Sequence, residues 1–310
     1  MTIDLQLINF PGAPNLPIFV GQELGFFETA GVRANLNTTP SSVYQIEHLM
    51  KGKYQIAGTA IDNVVAYTEN QGAITLSEKS DIFAFMGATQ LELSFVVSPE
   101  IQSFADLKGK TIALDALSTG FAFILYRMLE NAGVNLNDIT MVAVGATPER
   151  WESVKTGEHI GTLTIEPFTA MAKAAGFKIL ESSLQTVKAY QGGSFAARKN
   201  WAKGNRETLR GFITGYLDSL EWTLDSENRQ TATEILLRNM PNINAKAIDK
   251  VMDKLLSPDT GLTPFARIDK NGFNTVLELR SRYGGRQLSD PSKYLDLTYY
   301  QQAIGHRLAS

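Results

Sequence analysis

Apolar and polar positions alternate from Ile3 to Asn9, IDLQLIN, with the period of a half-buried strand. A turn rich in Pro and Gly follows, FPGAPN. Then Ile18, Phe19, Leu24 and Phe27 share one side of a predicted helix that Gly31 ends. The same succession returns later: residues 111–116, TIALDA, read as a strand, LSTG as a turn, and residues 121–131 as a helix ending at Gly133. Ala30-Gly31-Val32 recurs as Ala132-Gly133-Val134, an offset of 102, and LMKGKYQIAGTAIDNV aligns with SVKTGEHIGTLTIEPF with Gly52 over Gly157, an offset of 105. A nearly constant offset predicts two lobes of one design.

Each half reads strand–helix three times over, which calls for parallel strands, right-handed crossovers and helices on both sheet faces. The expected fold class is α/β, two Rossmann-like lobes with a ligand cleft between them, because ligands in such sheets gather at the carboxyl ends of the strands. Those ends are residues 10–15 and 58–63 in the first lobe, and 115–121 and 164–168 in the second, with VGATPER at 144–150 close by. The long apolar stretches 83–99 and 186–201 are expected to be the joining strands, with Gly192-Gly193 as a hinge. The expected first lobe takes residues 1–98 and 194–310, and the second takes 99–193. From Asn205 the pattern turns helical. Leu209, Phe212, Ile213, Tyr216, Leu217, Leu220 and Leu224 keep helical spacing, and helices are expected at 230–238, 245–255, 271–283 and 293–307, packed on the first lobe.

The 310 residues suit two domains, and a net charge of −3 leaves no basic field for nucleic acid or anionic lipid. The complete absence of cysteine removes disulfides, thiolate nucleophiles and Cys-type zinc sites. His48, His159 and His306 are too scattered for a metal site, and DKNG at 269–272 reads as a turn and helix cap rather than a calcium loop. No cofactor is expected. A helix start has free amides and partial positive charge, so the starts near Pro14 and Ser118 are candidate holders of a carboxylate or sulfonate. Ser118 and Thr119 add hydroxyl donors, or cap the helix with Gly120 as a turn glycine. Asp62 and Glu166 occupy equivalent places past a strand, as first-turn dipole partners or as cleft acids that favour an amine. Arg150 is open to a functional reading, bidentate partner of a carboxylate, and to a bland one, an arginine that faces solvent or pairs with a Glu. Phe10, Phe121 and Tyr190 are candidate walls for an aromatic ligand, or core.

Four stretches, NLPIFVGQELGFFETAGV, LMKGKYQIAGTAID, FADLKGKTIALDALSTGFAFILYRMLENAGV and VKTGEHIGTLTIEPF, carry a resemblance over roughly residues 3–200. They resemble the substrate-binding proteins of ABC importers for nitrate, sulfonates, taurine and thiamine-pyrimidine precursors. The resemblance implies a type II periplasmic binding protein fold whose two lobes close on a small ligand. Its cleft loops would hold Pro11, Gly12, Ala13, Asn15, Thr59, Asp62, Ser118, Thr119, Gly120, Phe121 and Glu166. It also implies a carrier rather than an enzyme, acting as a monomer that docks on a membrane permease. Its place would be periplasmic or lipid-anchored outside the cytoplasm, after removal of a signal peptide. The competing expectation is an enzyme on the same fold, a pyrimidine-precursor synthase, which the missing cysteines disfavour, or a menaquinone-pathway lyase using Asp62 or Glu166.

Overall fold

The computed structural model describes residues 2–305, so His306 and the end of the helix expected at 293–307 lie outside the described residues. In the first sheet β1 (Ile3–Asn9) has β2 (Val32–Thr38) and β3 (Ile56–Ala60) as parallel neighbours, and β4 (Ile82–Thr89) forms the far edge. The second sheet contains β5 (Ser94–Val97), β6 (Thr111–Leu114), β7 (Thr140–Ala143), β8 (Gly161–Thr164) and β9 (Lys178–Ser182). The chain then returns to the first sheet as β10 (Gly193–Arg198). The strand orders, β2-β1-β3-β10-β4 and β7-β6-β8-β5-β9, are the same plan twice.

Each sheet is interrupted by one antiparallel strand that the all-parallel expectation omitted: β10 between β3 and β4, and β5 between β8 and β9. These are the two strands nearest the crossings between lobes. Because β5 pairs within the second sheet, the chain crosses before Ser94, earlier than residue 98. The repeated glycines have one job in both halves. Gly31 and Gly133 (φ 83° and 74°), and Gly52 and Gly157 (φ 74° and 80°), take the left-handed turn that stops a helix, where any Cβ is strained.

The first-lobe helices α1 (Leu16–Glu23), α2 (Phe26–Thr29), α3 (Ser42–Met50) and α4 (Ile61–Thr68) flank their sheet. The second lobe carries α5 (Gly120–Asn131), α6 (Thr147–Lys155) and α7 (Phe168–Ala174) as counterparts of α1, α3 and α4, and the short α8 (Ser183–Thr186) after β9. After α9 (Lys199–Gly204), the nineteen residues of α10 (Arg206–Leu224) lay the predicted apolar stripe on the first sheet. Phe195 of β10 meets Tyr216 edge-on at 4.7 Å and Phe212 at 5.4 Å, a buried aromatic knot at the centre of that lobe. The chain continues as α11 (Arg229–Asn239), α12 (Ile248–Leu256), α13 (Lys270–Gly284) and α14 (Thr298–Ile304). Asp269 caps α13 by accepting from the amides of Asn271 and Gly272. The helix α13 departs from the expected packing on the first lobe alone. It packs on α4 of the first lobe and on α5 of the second.

Candidate functional site

The strand ends of the two sheets face each other, and a cavity of about 100 Å³ lies between them. Its first-lobe wall rests on a chain of amides. Asn9 accepts from the Gly58 amide at 2.8 Å and donates to Asn15 at 2.9 Å, and Asn15 donates to the Phe10 carbonyl at 2.9 Å. That chain holds the 10–15 turn in place, and Asn63 is tied to Thr59 at 2.9 Å beside it. The opposite wall comes from Asp115, Thr119, Gly120 and Phe121 at the start of α5, from Thr147 and Arg150 of α6, and from Ile165. Ala60, Ala88, Leu91 and Phe195 line the rest, so the cavity is mostly apolar with a few fixed polar groups.

Arg150 is the one basic residue of that lining, and it is 3% exposed. Its guanidinium donates to Thr162 Oγ1 (3.2 Å), the Leu163 carbonyl (2.8 Å) and Thr147 Oγ1 (2.9 Å), all neutral acceptors, while its Nε–H has no partner. Burial lowers its pKa to about 10, against the pull of Asp115 and Glu149, so it is charged at neutral pH. A buried cation held by neutral oxygens with a donor to spare is stabilised by an incoming anion. The sequence alternatives for Arg150, solvent-facing or Glu-paired, are both replaced. The usable signal was spacing: Thr147 and Arg150, three residues apart, share one helix face.

Of the candidate residues, Phe10, Asn15, Thr59, Thr119, Gly120 and Phe121 line the cavity. Pro11, Gly12 and Ala13 do not; their turn seals the lobes, with the Ala13 amide donating to the Glu166 carbonyl at 3.1 Å and Ile165 Cδ1 3.1 Å from where a Gly12 Cβ would stand. Ser118 turns to a shallow outer hollow, and its carbonyl accepts from Arg280 at 2.7 Å. Tyr190 packs behind Gly120, its ring centroid 6.5 Å from that of Phe121 and its hydroxyl buried without a partner. Burial, then the Asp62 charge, pushes that hydroxyl's pKa well up. Glu166 lines a small adjoining pocket with Lys254, at 3.9 Å, and Glu92. Burial raises its carboxyl above the ordinary value, partly opposed by Lys254.

Asp62 requires the largest correction. It is 1% exposed and makes a two-point ion pair with Arg280, at 2.6 Å for each contact. Its Oδ2 also accepts from the Gly120 amide at 2.6 Å. The start of α5 therefore does carry an anion, but the anion is the chain's own carboxylate from the opposite lobe. Arg280, 218 residues away, was absent from the sequence reading.

No curated protein sequence matches the chain. Among solved structures it is similar to the periplasmic nitrate-binding protein NrtA from Synechocystis PCC 6803, with TM-score 0.79 and 13% identity over 98% of this chain and 89% of that one. It is also similar to the alkanesulfonate-binding protein SsuA from Xanthomonas axonopodis pv. citri bound to MOPS, with TM-score 0.73 and 13% identity over 94% and 98%. A third similar structure is the desulfurization enzyme DSZB, with TM-score 0.67 and 11% identity over 98% and 99%. At such identities the likeness establishes the periplasmic binding protein fold, which carriers and at least one enzyme share. The family model described as NMT1/THI5 like matches residues 14–229, which take in β2 to β10 and most of the cavity lining, and the chain belongs to that family.

Proposed function

We propose that this protein is the solute-binding component of an ABC importer, working outside the cytoplasm as a monomer that delivers its ligand to a membrane permease. The ligand is a small organic anion, a sulfonate or carboxylate with an apolar body. Arg150 carries this reading: a buried, charged guanidinium with an unpartnered Nε–H lines a mostly apolar cavity and forms no ion pair among the described residues, while the one acid of the lining, Asp115, accepts from the Ser42 amide. The apolar body would lie among Phe10, Phe121 and Phe195, and Asn9, Asn15, Thr59 and Thr147 supply the polar contacts that orient it. Closure of two lobes on a ligand that touches both is a population shift toward the closed form.

The competing enzyme reading drew on Asp62 or Glu166 as acid or base. Arg280 clamps the first and the second faces Lys254 outside the cavity lining, which supports a carrier. A thermal-shift screen over alkyl and aryl sulfonates, carboxylates and aminopyrimidines tests the proposal, since a ligand that binds only the folded state raises its melting temperature. Stabilisation by an organic anion that mass spectrometry then recovers unchanged is the expected outcome. Stabilisation by aminopyrimidines alone would overturn the anion, and turnover of any candidate would overturn the carrier.

A further inference from the structure

Beyond the ligand site, the structure shows a second place where the lobes meet through charge. Arg280 of α13 and Asp62 of α4 are both fully buried, 0% and 1% exposed, and share two contacts of 2.6 Å. The pair reaches into the second lobe at two points: Asp62 accepts from the Gly120 amide at 2.6 Å, and Arg280 donates to the Ser118 carbonyl at 2.7 Å. The guanidinium also lies 4.8 Å over the Phe123 ring of α5. A Cβ on Gly120 would stand 2.7 Å from the Asp62 side chain, so the carboxylate reaches the amide only because residue 120 has no side chain. Around this centre α13 holds α5 through Arg127–Glu278 (2.6 Å), Arg282–Glu130 (2.7 Å) and the stacked rings of Phe123 and Tyr283 (5.3 Å). Those outer ion pairs are solvent-exposed on at least one side and contribute little. The buried centre decides the energetics.

We infer that Asp62, positioned by Arg280, is a built-in anion that docks on the start of α5 and holds the two lobes closed before any ligand arrives. Three consequences belong together. The amide a ligand would otherwise use is occupied, so the ligand's charged end is directed to Arg150. The free protein is mainly closed, so little of the ligand's affinity is lost to closure. Opening requires the Asp62 carboxylate to leave a helix start, and Arg280 sets how readily it does so, acting as a positioning residue.

The inference presupposes the two-lobe motion of the proposed function but not its ligand, and its test uses none. The chain has no cysteine, so Thr38→Cys on β2 and Lys155→Cys on α6, both exposed and on opposite lobes, accept spin labels without competition. Pulsed dipolar spectroscopy then reads the interlobe distance in ligand-free protein carrying either the native pair or Asp62→Leu with Arg280→Met. The double change removes both charges together and spares the fold an orphaned one. The native pair is expected to give one short, narrow distance; the double variant, with a single cooperative melting transition, should show a longer and broader one. Arg280→Lys, which keeps the charge but not the two-point geometry, should fall between them. Identical distributions in native and double variant would overturn the inference. A double variant that fails to fold would overturn it equally, because the pair would then belong to the fold and not to closure. A failed anion screen on native protein leaves these distances unaffected.

Discussion

Arg280 and Asp62 stand 218 positions apart in the chain and 2.6 Å apart in space, each sealed from solvent. Removing one member leaves the other charged and buried. Arg280→Ala or Asp62→Ala is therefore expected to cost about 3–5 kcal/mol of folding stability, read as a fall in the urea midpoint. Asp62→Leu with Arg280→Met should cost much less than either single change. Equal losses in all three proteins would show that packing, and not charge, matters at this position.

Arg150 predicts the opposite balance of binding and stability. Replacing it with Met removes a buried cation that has no acidic partner, so thermal stability without ligand should hold or rise. Affinity for the organic anion found by screening should fall by roughly 100-fold, about 3 kcal/mol, in calorimetry. Because burial places the Arg150 pKa near 10, the native affinity should also fade as pH rises through that value. Retained affinity in Arg150→Met would move the anion site elsewhere.

Glu166 gives a pH prediction. Its carboxyl is raised above the ordinary value of 4.5 by burial, so between that value and its folded pKa the folded state binds more protons than the unfolded. Its contribution to stability therefore falls as pH rises through that window. Glu166→Gln should remove that dependence, so its stability relative to the native protein should climb with pH across the window in paired urea titrations. A difference that stays flat with pH would contradict the assignment.

Gly58 tests the amide chain behind the first-lobe wall. A Cβ there would stand 2.5 Å from the Asn9 side chain that accepts the Gly58 amide. Gly58→Ala should displace Asn9, free the 10–15 turn that Asn15 holds, and cost about 1–3 kcal/mol. It should also weaken anion binding. Loss of binding with unchanged urea stability would mean that the wall, and not the strand, absorbs the change.

What the chain's pattern disclosed follows from range. The strand at 3–9, the glycine stops at Gly31 and Gly133, and the cap at Asp269 are settled by neighbours within a few residues and stand as read, although the strand is buried on both faces at Leu7, Ile8 and Asn9 rather than on alternate positions. The candidate loops met at one cleft because strand ends in a duplicated sheet must point the same way. Local reading failed where partners are distant. Asp62 sits in the first turn of α4, as dipole arguments expect, yet it caps another helix, α5. Nothing near Arg280 in a charged, amphipathic helix marks it as buried. Arg150 looked like a surface residue because its three acceptors are a threonine in its own turn and two residues of β8.

The order of strands in the first sheet also bears on how the molecule is made. Among the described strands β4 touches only β10, which stands between it and β3. As the polypeptide leaves the ribosome, residues 82–89 must wait for more than a hundred further residues before their partner emerges. The second lobe, contiguous from β5 to β9, needs no such delay. It can assemble while the first half of the protein is still incomplete, so the inserted lobe is the natural first folding unit and the N-terminal lobe is finished around it.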